Sequence, residues 1–246
     1  MEGSMIFLMI LPIVAFLYAA VGHGGASGYL ALMAIFGFAT QDMKVIALML
    51  NLFVAGISFY LFWKKGFFNK NLFIPFAIGS IPAAFLGGEL GIDAFWFKKI
   101  LAVLLLFAIL RMLNVFGKEK TAIKPIQFLP ALIIGASIGF FSGMIGIGGG
   151  IILSPVILLL GWGKMKETAA VSALFIFVNS AAGLIGTAMN GINLEVSQAT
   201  VISCISVALI GGFAGAFWGS GLKNLKQLKY VLAFVLMIAV VKLVVV

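Results

Sequence analysis

Gly146-Ile147-Gly148-Gly149-Gly150-Ile151-Ile152-Leu153-Ser154-Pro155 stands between two apolar runs and belongs to neither. Four of its first five residues are glycine, and each costs a helix roughly 1 kcal/mol against alanine. The backbone can turn sharply here and come close to whatever lies opposite. Gly22-His23-Gly24-Gly25-Ala26-Ser27 echoes it earlier in the chain. In each place the glycines precede an unusually short apolar segment: 26–38 has 13 residues and 151–162 has 12. A helix needs ~20 residues to cross the hydrocarbon core. The Ser154-Pro155 pair is expected to kink the second short helix, since proline removes a backbone donor and crowds the preceding turn.

Around these two stretches lie eight longer apolar segments, at 5–21, 43–63, 72–90, 100–116, 127–145, 167–189, 198–220 and 230–246. Of the 246 residues, 63% are hydrophobic and 9% are charged, against ~25% charged in a soluble domain. Mean hydropathy is +1.25. No soluble surface can be built from this set, so the chain reads as an integral membrane protein. The net charge of +9 comes from lysines between apolar runs, as in cytoplasmic loops, and does not point to nucleic acid. The single cysteine, Cys204, excludes a disulfide framework, and no spacing suggests a metal or cofactor site. The start Met1-Glu2-Gly3-Ser4 lacks the basic residues of a cleaved signal, so the first run is expected to be retained.

The halves repeat. At an offset of 124, Gly22, Gly24, Gly25 and Gly37 fall on Gly146, Gly148, Gly149 and Gly161. At an offset of 128, Phe85, Gly87, Gly91, Lys98 and Val103 fall on Phe213, Gly215, Gly219, Lys226 and Val231. If each short segment counts as a full pass, twelve Lys and Arg residues share one face and Lys44, Lys98, Lys99 and Lys242 occupy the other. If each short segment re-emerges on the face it entered, the split is eight and eight. The positive-inside rule prefers the first. The expected fold is therefore all-α, with two inverted repeats of about five segments. Residues 1–117 form one repeat, 118–126 a cytoplasmic linker and 127–246 the other. Both termini then lie outside the cytoplasm.

Short or glycine-interrupted segments at matching places in inverted halves point to a transporter site. The first N–H groups of a helix lack internal partners and carry part of a positive charge. Glycines before the helix let an anion reach them. The candidate binding residues are His23, Gly24, Gly25, Ser27 and Asn51 in the first half, and Gly148, Gly149, Gly150 and Asn179 in the second. Ser142 and, more weakly, Ser172 stand beside them. His23, the only histidine, can lend a proton or charge near neutral pH, be a neutral member of the turn, or reach an aqueous surface. Asn51 and Asn179 lie mid-span, where they can bond a substrate or a neighbouring helix. Scattered glycines such as Gly79, Gly87, Gly183 and Gly215 read as packing positions. All seven carboxylates fall at segment ends or in loops, which favours an anionic or neutral substrate over a cation. Trp63, Trp96, Trp162 and Trp218 sit near segment ends, as an interfacial belt would.

Gly146-x-Gly148-Gly149-Gly150 with Pro155, in a duplicated membrane protein of this size, resembles the TauE/SafE family of sulfite and organosulfonate exporters; Gly22-His23-Gly24-Gly25 is similar to its paired motif. The resemblance spans essentially the whole chain. It implies efflux of sulfur-containing anions such as sulfite, sulfoacetate or thiosulfate across the inner membrane. The halves are not symmetric: Ala26 stands opposite Gly150 and Gly28 opposite Ile152, with no proline following in the first short segment. The reading is a secondary transporter with alternating access, not an enzyme, whose partners are a small anion and the lipid bilayer, with a homodimer allowed. An anion channel using the same helix ends stays open, as do an intramembrane enzyme built on Ser142 and His23, and an assembly subunit.

Overall fold

The structure, a computed structural model, describes residues 2–20, 22, 24–112, 123–221, 237, 240 and 241. The expected tenth segment lies almost wholly outside these residues, as do His23 and most of the linker. Among the described residues the chain is helical: α1 (Glu2–Ala20), α2 (Ala26–Ile35), α3 (Thr40–Lys64), α4 (Lys70–Glu89), α5 (Ala94–Met112), α6 (Phe128–Ile145), α7 (Gly150–Leu160), α8 (Met165–Met189) and α9 (Gln198–Gly221). Five of these, α3, α4, α6, α8 and α9, are long and apolar enough to cross a membrane.

The helices begin where local chemistry allows. Asn69 caps α4 through its side-chain oxygen, which accepts from the Asn71 and Leu72 N–H groups. The Glu167 carboxylate reaches back to the Lys164 N–H at the start of α8. α5 starts six residues earlier than its apolar run at Ile100 suggests. Asp93 caps it, accepting the Phe95 N–H on its carboxylate at 2.8 Å. Lys99 then folds over the Phe95 ring at 4.0 Å, so a charged pair is carried inside the first turns. α7 continues through Pro155. Its Ser154 hydroxyl donates to Ser172 Oγ at 2.7 Å and ties the short helix to α8.

Two long helices form the centre. The most apolar window of α8 is 67% buried and that of α3 is 56% buried, against 39% for α9. α3 and α8 pack on each other. α4 lies against α6 and α8, and α9 lies against α1 and α3. The short helices sit inside this frame, α2 against α1 and α3, α7 against α6 and α8. Large apolar side chains such as Met9, Ile13, Val103, Leu129, Ile185, Ile202, Ile210 and Phe217 point outward. Such a surface suits lipid, since soluble monomers do not expose contiguous apolar patches of this extent. Trp63, Trp96 and Trp218 are exposed, but Trp162 is buried and packs against Phe76 of α4. It follows a helix enclosed by protein, so it belongs to the core and not to an interfacial belt.

Helix contact here is backbone on backbone. A methyl group at Gly87 of α4 would lie 2.1 Å from the Phe140 carbonyl oxygen of α6, and one at Gly143 would lie 2.0 Å from that of Ala84. At the other pair, methyls at Gly211, Gly215 and Gly219 of α9 would meet the carbonyl oxygens of Pro12, Phe16 and Ala20 within 1.9–2.1 Å. The four-residue spacing keeps these glycines on one face of the helix. Gly143→Ala and Gly215→Ala should each lower the stability of the detergent-solubilised protein by roughly 1–3 kcal/mol, the usual cost of overpacking. Gly91→Ala, where no atom stands within 4 Å of the added carbon, should be near neutral. Thermal unfolding of the three variants checks the contrast.

Candidate functional site

Each short helix is launched by glycines in the left-handed region. α6 ends on Gly146 at φ 86°, whose N–H donates to the Ser142 carbonyl at 2.8 Å. Gly148 at φ 75° and Gly149 at φ 78° then turn the chain into α7. In the first half Gly22 at φ 78° and Gly25 at φ 96° do the same ahead of α2. The first backbone bond of α2 runs from the Tyr29 N–H to the Gly25 carbonyl. The amides of residues 26–28 therefore lie ahead of it, where helix N–H groups have no intrahelical acceptor. In α7 the Gly149 carbonyl accepts from both Ile152 and Leu153.

The two turns meet at the α3–α8 contact. A methyl at Gly24 would lie 2.8 Å from Asn51 Oδ1 and 2.7 Å from Ile176 Cγ2. A methyl at Gly148 would lie 2.6 Å from Asn51 Nδ2 and 2.8 Å from the same Ile176 carbon. One amide thus presents its oxygen to the first turn and its nitrogen to the second. Asn51 Nδ2 donates to Ser180 Oγ at 3.1 Å. Asn51 Oδ1 is buried with no hydrogen-bond partner among the described residues, an arrangement that costs about 1–3 kcal/mol. Gly149 faces Ser142 Oγ, a second buried polar atom without a partner among the described residues. Gly25 backs onto the Tyr29 ring, whose hydroxyl is in the same condition.

Of the residues singled out from sequence, Gly24, Asn51 and Gly148 converge, and Gly149, Gly150 and Ser142 adjoin them. Ser27 is buried in the first turn of α2 and faces Tyr18. Asn179 turns back on its own helix, donating to the Phe175 carbonyl at 2.8 Å, with Oδ1 buried and unpartnered among the described residues. Ser172 is occupied by Ser154. His23 lies outside the described residues. Ile176, Ser180 and Tyr29 were not singled out from sequence. Ser180 carries one signal, a polar residue one position after Asn179 in a buried helix. Ile176 carries none, being one aliphatic residue among many.

Lys44 enters the sequence reading only as one of the four cations on the less basic face. It is buried in α3, where its ammonium donates to the Gly88 carbonyl at 2.8 Å. That oxygen, one residue from the end of α4, also accepts from Thr187 Oγ1. A cation at a helix C-terminus complements the dipole. Lys44 and Thr187, with Glu89, Asn190 and Met144, line a cavity of about 320 Å³ at the start of α3 and the ends of α4 and α8. A methyl at Gly146 would lie 2.8 Å from the Lys44 carbonyl oxygen, so this cavity lies close to the second glycine turn. Asp42, also buried, accepts from the Glu195 and Val196 N–H groups and pins the loop before α9.

The "Sulfite exporter TauE/SafE" family model matches residues 7–243. The chain is 36% identical over 235 residues, 94% of each protein, to the "Probable membrane transporter protein y4hK" of Sinorhizobium fredii. It is 29% identical over 195 residues, 73% of each, to a probable membrane transporter protein of Methanocaldococcus jannaschii. No solved structure matches it. With its bundle of long apolar helices and a family match over nearly its whole length, the chain belongs to the TauE/SafE sulfite exporter family of membrane transporters.

Proposed function

We propose that the protein is a secondary transporter that moves small sulfur-containing anions, of the sulfite, sulfoacetate or thiosulfate kind, by alternating access around a site between the two glycine turns. The observation that carries this reading is the shared neighbourhood: both turns abut one Asn51 amide and one Ile176 side chain, with a buried oxygen between them that has no partner among the described residues. Asn51 can turn either end toward a solute by rotation about its last bond. Its nitrogen, the Ser142 hydroxyl and the leading amides of α2 and α7 would then form a donor set without a formal cation.

The inverted duplication is part of the proposal, with repeats 1–117 and 127–246 joined through 118–126. Three pairs of glycines with positive φ recur at one offset: Gly22 with Gly146, Gly25 with Gly149, and Gly37 with Gly161. The packing supports it as well. α4 rests on α6 as α9 rests on α1. Gly87 meets Phe140 as Gly215 meets Phe16. In a bacterial inner membrane with a negative interior, the potential drives an anion outward at ~2.3 kcal/mol per charge per 100 mV, which favours export.

The test is thermal stabilisation of the purified protein by a panel of sulfur oxyanions, sulfonates and carboxylates, followed by flux in proteoliposomes. Sulfite-like anions should stabilise and be transported, and a panel with no response would sink the reading. A valine at Gly149 would strike Ile138 and Phe175 as well as the site, so milder variants discriminate better. Asn51→Leu should cut flux at least tenfold while unfolding stays within about 1 kcal/mol of wild type, since it removes an unsatisfied oxygen together with one hydrogen bond. Normal transport by Asn51→Leu would leave that amide a packing group. His23→Ala should flatten the pH dependence of flux between about pH 5 and 8, where histidine titrates; an unchanged profile removes the histidine from the mechanism.

A further inference from the structure

We propose that Ile176 is the plug of this site and sets the size of anion it admits, an inference that rests on the site proposed above. Ile176 is 2% exposed and stands on the central helix α8. Its Cγ2 lies 2.7 Å from a methyl placed at Gly24 and 2.8 Å from one at Gly148. Its Cδ1 and Cγ1 lie 2.3 and 2.5 Å from a methyl at Gly150. One aliphatic side chain thus fills the room that three glycines, drawn from both turns, leave by having no β-carbon. Asn51, fully buried and with an oxygen that has no partner among the described residues, borders the same space. So does the hydroxyl of Ser180, one turn along α8.

A hydrocarbon plug against the start of α7 keeps both water and anion from its leading amides. Buried amides without acceptors are costly, so this arrangement is an occluded state held by packing. Isoleucine in a helix has one strongly preferred χ1 rotamer. The plug is therefore withdrawn by movement of α8 relative to α2 and α7, and not by a side-chain flip alone. That couples access to the motion of a central helix. The space vacated is the space the substrate's non-coordinating part must occupy. An isoleucine there selects a compact oxyanion, and a smaller residue admits an anion carrying an organic tail.

The experiment compares sulfite with sulfoacetate in proteoliposomes for wild type, Ile176→Val, Ile176→Ala and the remote buried control Leu105→Ala. The flux ratio of sulfoacetate to sulfite should rise at least tenfold in Ile176→Ala. It should rise by an intermediate factor in Ile176→Val, which removes only Cδ1. Leu105→Ala, which also empties a buried site, should leave the ratio unchanged, so loss of stability by itself does not mimic the effect. Should Ile176→Ala fail to fold, the valine variant carries the test. An unchanged ratio in every Ile176 variant that transports, beside normal wild-type flux, overturns the plug while leaving the anion site standing. Absence of wild-type flux and of thermal stabilisation by either anion overturns both.

Discussion

Carbonyl oxygens of one helix resting on α-carbons of the next are the constraint on which the remaining architecture depends. Among lipid tails there is no hydrophobic force to press apolar helices together, so association relies on close van der Waals contact and on polar groups that find partners. Glycines at 135, 139 and 143 in α6, and at 211, 215 and 219 in α9, supply that contact against α4 and α1. These two seams brace the long helices and leave α3 and α8 enclosed between them. A half-length helix is tolerable in a membrane only if protein or water covers its ends. α2 and α7 meet that condition because the frame surrounds them: eight of the ten residues of α2 and seven of the eleven of α7 are buried. The short helices follow from the seams, and the candidate site follows from the short helices.

Part of the polar chemistry inside this frame lies at the two glycine turns. Asn51 Oδ1, Ser142 Oγ and Tyr29 OH, all buried and without partners among the described residues, lie beside one glycine turn or the other. In a well-packed interior more than nine in ten buried polar groups are satisfied; these three are exceptions beside the two turns, and Ser58 on α3, Ser80 on α4 and Thr168 and Asn179 on α8 carry others away from them. Other polar side chains hold the fold: Asp42 on the loop before α9, Lys44 on the end of α4, Ser154 on Ser172.

What could be read from the sequence follows from what is local. The glycine clusters declare their turns because glycine is the residue that takes positive φ without strain, and Gly22, Gly25, Gly146, Gly148 and Gly149 all do so. The short segments behind them are visible by length. The membrane environment is visible in composition. Two local readings differ from the structure for local reasons: the apolar run at Ile100 hides a helix start at Ala94, capped by Asp93, and Trp162 looks interfacial by position while lying in the core. The members of the site that escaped notice depend on contact across the two halves. Ser180 matters through Asn51, 129 positions away, and Ile176 through Gly24. No periodicity encodes which face of α8 meets which face of α3. Lys44 is distinguished from the other lysines only by burial, which arises from α4 and α8 folding over it.

The asymmetry of the halves sharpens the proposed mechanism. At the offset that superposes the glycine turns, Asn51 corresponds to Phe175, Leu52 to Ile176, Ala55 to Asn179 and Gly56 to Ser180. The backbone features recur and the side chains around them do not. On the proposed reading, each repeat contributes helix ends, which hold negative charge whatever side chains surround them. α3 and α8 then contribute the features that discriminate: one amide, one hydroxyl and one aliphatic plug. Such a division lets a duplicated scaffold keep its affinity for anions while the choice among them changes through a few positions on two central helices. It would also place the selective residues on α3 and α8, one helix from each half packed on the other, where movement of one half against the other would be felt first.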